Sequence, residues 1–272
     1  MPRKFKKLLF KMINEALEHN SEFNLSELCL LEFPNKDTKG MTIYNGSQIM
    51  EDFIDDDIES KVGAITGGQS RWRAMLAFFK EEMTYGAYIA RIALGTPESG
   101  GHEGSCMNAW EVVSSGVHPR YQKKGLGRML YSIAMVSVSP DPIMSDRGSV
   151  SPKAQRMYKA MDSSPSVESL PSEEGPYKGE FDNFRYPKTP PKDDDCSLYV
   201  DDDGNLGPSY MNKAYKIEPS GEYKQLYDKM VQNHKKFVEE ISQKVRVMPE
   251  KLEDLIDGQG SKVFSIAYGH QT

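Results

Sequence analysis

Apolar positions fall into two alternating rhythms along the chain. Phe5, Leu8, Leu9, Met12, Ile13, Ala16 and Leu17 recur at helical spacing, with Lys4, Lys7, Lys11 and Glu18 off the stripe, which predicts an amphipathic helix over 3–19. Short apolar runs at 28–33 and 42–44 predict strands, the first closed by Pro34-Asn35. Ile49, Met50, Phe53, Ile54 and Ile58 predict a second helix with an acidic outer face, and Trp72, Met75, Leu76 and Phe79 a third, capped by Ser70. Strands follow at 85–94 and 108–117, separated by a loop rich in Gly, Pro and Ser at 95–105. A helix then runs to about Val138, where Pro140 and Pro142 end it, and a short strand occupies 143–146. Ser151-Pro152 supplies an N-cap and a first-turn proline for a helix through Ala154, Met157, Tyr158 and Met161.

The pattern weakens after Ser163. Residues 163–208 are rich in Pro, Ser, Gly and Asp and read as an irregular insertion with short strands, such as 196–200. A strand at 210–217 follows. Tyr223, Leu226, Tyr227, Met230, His234, Phe237, Val238 and Ile241 then describe a long amphipathic helix, and 249–256 and 263–268 read as a short helix and a final strand. Three segments result: a core over 1–162, an acidic insertion over 163–217 that completes the sheet, and a C-terminal extension over 218–272. The fold class expected is α+β.

The most informative stretch joins a strand to a helix. The apolar run ending at Val117 passes through His118-Pro119 to Gln122, Lys123, Lys124, Gly125, Leu126, Gly127 and Arg128, after which Met129, Leu130, Ile133 and Ala134 keep helical spacing. Backbone N–H groups converge in such a turn, and the helix start adds positive potential, so the turn is suited to an anion. Its glycines let a ligand approach the backbone, and its cations suit a phosphate.

Composition narrows the setting. The net charge of −6 argues against a general nucleic-acid coat, and three scattered cysteines, Cys29, Cys106 and Cys196, form no Cys-x-x-Cys pair. A reducing cytoplasm is the simplest location. No stretch approaches the roughly 18 apolar residues of a spanning helix, so no membrane association is expected.

With these residues in view, the block over about 108–162 resembles the GNAT superfamily of acyl-CoA N-acyltransferases. Gln122-Lys123-Lys124-Gly125-Leu126-Gly127 resembles its Gln/Arg-x-x-Gly-x-Gly/Ala signature, and Val117-His118-Pro119 its Val-x-Pro. Ser151-x-x-Ala154-x-x-x-Tyr158 resembles a later family helix, with serine in place of asparagine and Asp162-Ser163 in place of Gly-Phe. The resemblance implies a mixed, mostly antiparallel sheet flanked by helices and splayed beside the motif strand. It implies acetyl-CoA as acyl donor. Val117 would offer backbone hydrogen bonds to the pantetheine arm, and the backbone from Gln122 to Arg128 would wrap the pyrophosphate.

Acyl transfer to an amine needs a base, a donor for the developing oxyanion, and help for the departing thiolate. Glu111, eleven residues before Gln122, stands where the resemblance places a glutamate base; a solvent-facing strand carboxylate is the plainer reading. Alternation puts Trp110 and Val112 on the face opposite Glu111. Tyr158 is the acid that the resemblance implies, or else a core aromatic. Ser151 stands where the family's pantetheine-contacting asparagine would be, or is only an N-cap. His118 reads as a structural turn residue, Asp146 and Arg147 as a solvated turn or a substrate contact, and Cys106 lacks a local histidine partner. The aspartates at 193–195 and 201–203 fail the calcium-loop test, because the twelfth position would be Tyr210; they read as a solvated loop that could attract a cationic amine.

The leading expectation is an N-acetyltransferase acting on a primary amine of a small molecule or protein. The alternatives are a GNAT-fold protein that modifies nucleic-acid bases or binds acyl-CoA without catalysis, and an interaction protein using the helix at 223–241 as a homodimer surface.

Overall fold

The computed structural model describes residues 27–34, 38–55, 87–96, 109–145, 150–171, 173–174, 183–185, 196–197, 208–218, 221–245 and most of 249–257. The helices expected at 3–19 and 70–79, the final strand at 263–268, Cys106, Asp146, Arg147 and the aspartates at 193–195 and 201–203 lie outside them.

A seven-stranded sheet organises the chain. Its strands are β1 (Leu28–Pro34), β2 (Thr38–Asn45), β3 (Tyr88–Gly95), β4 (Trp110–Val117), β5 (Ile143–Ser145), β6 (Glu168–Pro171) and a later strand, β10 (Lys213–Lys216). The spatial order is β1-β2-β3-β4-β5-β10-β6. All neighbours pair antiparallel except β4 and β5, which run parallel. Three short strands, β7 (Glu173–Glu174), β8 (Asn183–Arg185) and β9 (Cys196–Ser197), form a separate small sheet. The irregular segment after Ser163 thus contributes β6 and β10 to the main sheet.

The helices are α1 (Gly46–Asp55), α2 (Leu126–Val138), α3 (Pro152–Asp162) and α4 (Glu222–Val245), and the described residues of 249–257 are helical too, where a short helix is expected. Met41, Ile43, Ile92, Leu94 and Val112 from the sheet pack with Met129, Leu130 and Ile133 of α2, Tyr158 and Met161 of α3, and Leu226 and Met230 of α4. A smaller cluster, Ala109, Met144 and Ala214, lies on the opposite face. The split follows from strand alternation, since Ile143 and Tyr215 belong to the main core while their neighbours Met144 and Ala214 do not.

The apolar stripe of α4 is covered by its own chain: Leu226, Met230, His234, Phe237, Val238 and Ile241 are all buried. The helix also guards the sheet's edge. Asn233 Nδ2 donates to the Leu28 carbonyl of β1 at 2.9 Å, occupying an acceptor that an edge strand would otherwise offer to another chain.

Tyr44 and His234 fasten α4 to β2, with the Tyr44 hydroxyl 2.7 Å from His234 Nδ1. Burial holds Tyr44 well above its usual range, so the hydroxyl stays protonated and donates to Nδ1. Nε2 then carries the ring proton and donates to Glu253 Oε1 at 3.1 Å. Burial lowers the His234 pKa below 6.5 despite Glu253, which opposes the shift, and Lys235 lowers it further. The unfolded chain therefore takes up this proton first, and the stability present above pH 6.5 is lost as pH falls through that value. Thermal midpoints measured from about pH 7.5 to about 5.5 should decline in the wild type and decline less in His234→Asn. Equal slopes would show that His234 does not govern this window.

Candidate cofactor-binding site

Among the described residues, β4 pairs with β5 over only its first three positions. Trp110, Glu111 and Val112 pair with Ile143, Met144 and Ser145, and β4 then continues through Val117. At about 3.3 Å per residue, the stretch from Val113 to Val117 carries the strand about 17 Å past the last pair with β5 among the described residues.

A bulge marks the same point. Leu94 of β3 pairs with Val112, but the next residue, Ala93, pairs with Ser114, leaving Val113 without a β3 partner in the register. Val113 is 52% exposed, although it is a large apolar side chain on an interior strand. The bulge shifts the alternation by one, so Val112, Ser115 and Val117 face the main core while Glu111, Ser114 and Gly116 face the other side.

Beyond Val117 the chain turns through a 3₁₀ segment, Pro119–Tyr121, into α2. His118 is structural: its Nδ1 accepts from the Arg120 N–H at 3.3 Å, and its ring packs against Tyr88 and Tyr121. Gln122 also has a defined task. Its Nε2 donates to the Val117 carbonyl at 3.1 Å, and its Oε1 lies 3.4 Å from Lys153 Nζ on α3. Lys123 is exposed with φ 65°, and Gly125 is the N-cap of α2 with φ 78°. A glycine cap has no side chain to satisfy the first helical donors. The helix supplies no carbonyl for the N–H groups of Leu126 and Gly127 either, and this is the arrangement that receives anions.

The two glycines differ in what they do. Gly125 has open space where a Cβ would stand, so its positive φ is what calls for glycine. Gly127 lies inside helix α2, where glycine is unfavourable, yet a Cβ there would meet only Met157 Sδ at 3.6 Å, an ordinary contact. The chain's own packing does not require Gly127. A ligand that comes close to the helix's first turn would.

Lys124 lies 5.7 Å from the Tyr121 ring, and Arg128 Nη2 donates to Ser164 Oγ at 2.8 Å, tying the start of α2 to the turn after α3. Lys153 is a cation that sequence reasoning missed; on its own helix it reads as a solvated face, and only the fold brings it to Gln122. Ser151 is an N-cap, accepting from the Ala154 N–H at 3.3 Å, and is exposed.

Glu111 and Tyr158 meet β5 at one level from opposite faces. Glu111 registers with Met144 on the face of the smaller cluster, and Gly95 stands beside it on β3. Tyr158 lies in the main core, 1% exposed, and donates to the Met144 carbonyl at 3.3 Å. Its ring stacks edge-on against Tyr131, whose hydroxyl is 2.8 Å from Ser115 Oγ.

A second concavity of about 390 Å³ lies between α1 and α4, lined in part by Glu27, Cys29, Met50, Phe237 and Glu240. Burial pushes the Cys29 thiol up to about 12, with contacts to Tyr44 and Gly46 only partly opposing it, so it is not a thiolate nucleophile. No group of three His, Cys, Asp or Glu able to hold a metal occurs among the described residues, and no described helix is long and apolar enough to cross a membrane.

Comparison with protein-family models, with curated proteins and with solved structures finds no match.

Two substitutions separate backbone need from ligand need. Gly125→Ala places an L residue at φ 78° and should cost about 1 kcal/mol in urea denaturation. Gly127→Ala should be neutral or stabilise by up to about 1 kcal/mol. A large loss in Gly127→Ala would mean that the glycine serves folding alone.

Proposed function

We propose that this protein has the GNAT fold and is an acetyl-CoA-dependent N-acyltransferase acting on a primary amine. One observation carries the reading: among the described residues β4 pairs with β5 only up to Val112, and beyond Val117 it leads through a short turn into a helix start capped by glycine, with no side-chain cap. An acyl-CoA matches both features. Its pyrophosphate fits the Gln122–Arg128 turn, with Lys123, Lys124 and Lys153 nearby. Its pantetheine amides fit the strand edge from Val113 to Val117. An arm laid along β4 from the turn brings a thioester past Val117 toward Glu111.

In the proposed reaction the amine attacks the thioester carbonyl from the face that carries Glu111. Glu111 takes the amine proton, directly or through water. The C–N bond forms, the C–S bond breaks, and sulfur leaves with the electron pair as a thiolate. Tyr158 lies on the departing side.

A second reading, acyl-CoA binding without transfer, draws on the burial of Tyr158 and the commitment of its proton to the Met144 carbonyl. Kinetics separate the two. With acetyl-CoA and a panel of primary amines, the transferase reading predicts release of CoA, and Glu111→Gln should lower kcat about 10²-fold or more with little change in acetyl-CoA affinity. Gly127→Glu should abolish binding. Binding in the wild type with no turnover, or an unchanged kcat in Glu111→Gln, would overturn the catalytic assignment.

A further inference from the structure

Resting on the acyl-CoA reading, we infer that the departing thiolate is received by the Ser115 hydroxyl, with Tyr131 as its positioning residue. Three observations support this. Ser115 lies on the part of β4 that has no β5 pair among the described residues, two residues before Val117, and the bulge at Val113 turns its side chain toward α2. A pantetheine arm entering from the glycine turn passes Val117 first and reaches Ser115 next. Val112 is the last residue of β4 paired with β5 among the described residues, so the thioester of an arm laid along the strand stands between Val117 and Val112.

The second observation is the arrangement of hydroxyls. Ser115 Oγ and the Tyr131 hydroxyl are 2.8 Å apart, and either can be the donor. Tyr131 also has Tyr158 as a hydrogen-bond partner. Tyr158 donates to the Met144 carbonyl, so its own proton is engaged by backbone. The third is exposure. Tyr131 and Tyr158 are buried, whereas Ser115 is half-buried, which makes Ser115 the member of the trio that a ligand laid along β4 can touch.

In the free protein Ser115 can donate inward to Tyr131. When the C–S bond breaks and the electron pair stays on sulfur, Ser115 turns its proton to the thiolate. Tyr131 then donates to Ser115 Oγ and keeps it in place. No proton leaves the trio: burial raises the pKa of the Tyr131 hydroxyl, which therefore donates without ionising, and CoA gains its proton from water on release. The step stabilises the leaving group through a hydrogen bond to a charged atom, and such bonds are stronger than neutral ones.

The test is a pH titration of CoA bound to the full chain, read by the ultraviolet absorbance of its thiolate. The thiol of bound CoA should ionise about one unit below free CoA in the wild type. Ser115→Ala and Tyr131→Phe should each remove most of that shift and lower kcat roughly tenfold, with the double variant no worse than either single one. Ser115→Thr should retain the shift, which a merely structural role for the position would not predict. CoA that binds with an unshifted thiol, or a shift that survives Ser115→Ala, overturns this inference and leaves the acyl-CoA reading standing. Absence of CoA binding overturns both.

Discussion

The three-residue pairing of β4 with β5 governs what the rest of the molecule presents. Were the two strands zipped to Val117, the backbone of β4 would be satisfied within the sheet and no ligand could lie along it. Among the described residues the pairing stops at Val112, while β4 runs on through Val117 to the glycine turn at the start of α2. A parallel pair tolerates this parting because its strands need no tight hairpin; α2 makes the crossover and covers the main core with Met129, Leu130 and Ile133.

The surrounding elements hold that stretch in shape. Gln122 bridges the Val117 carbonyl to Lys153, and Arg128 is tied to Ser164, so the turn is braced against α3 on two sides. Across the sheet, α4 occupies the β1 edge and locks β2 through the Tyr44–His234 contact. The outer strands are thus fixed around the centre of the sheet, where Glu111, Ser115 and the Tyr131–Tyr158 pair stand.

Much of this could be read from residues, and the misses have physical causes. The glycine turn, the Ser151 cap and the α4 stripe carry local signals, and each stands where expected. Strand alternation placed Glu111 opposite Val112 correctly, but Trp110 to Val117 reads as an unbroken strand, and nothing local announces the bulge at Val113. Ser115 and Tyr131 consequently drew no notice, one as a strand serine and the other as a core aromatic. β10 stands within the strand expected at 210–217, whereas β6 is four residues long, too short for periodicity, and finds its place only through pairing with β10. Lys153 reaches the turn through the packing of α3, which no spacing in the sequence encodes.

The central claim is that one acyl-CoA lies along Val113–Val117 of β4 with its pyrophosphate on the turn before α2. Backbone amide hydrogen exchange with and without acetyl-CoA tests it most directly. The account predicts slowed exchange at Val113–Val117 and at Gln122–Gly127, with little change at β1 or at the concavity between α1 and α4. No protection at those amides, or protection confined to the α1–α4 concavity, would contradict it.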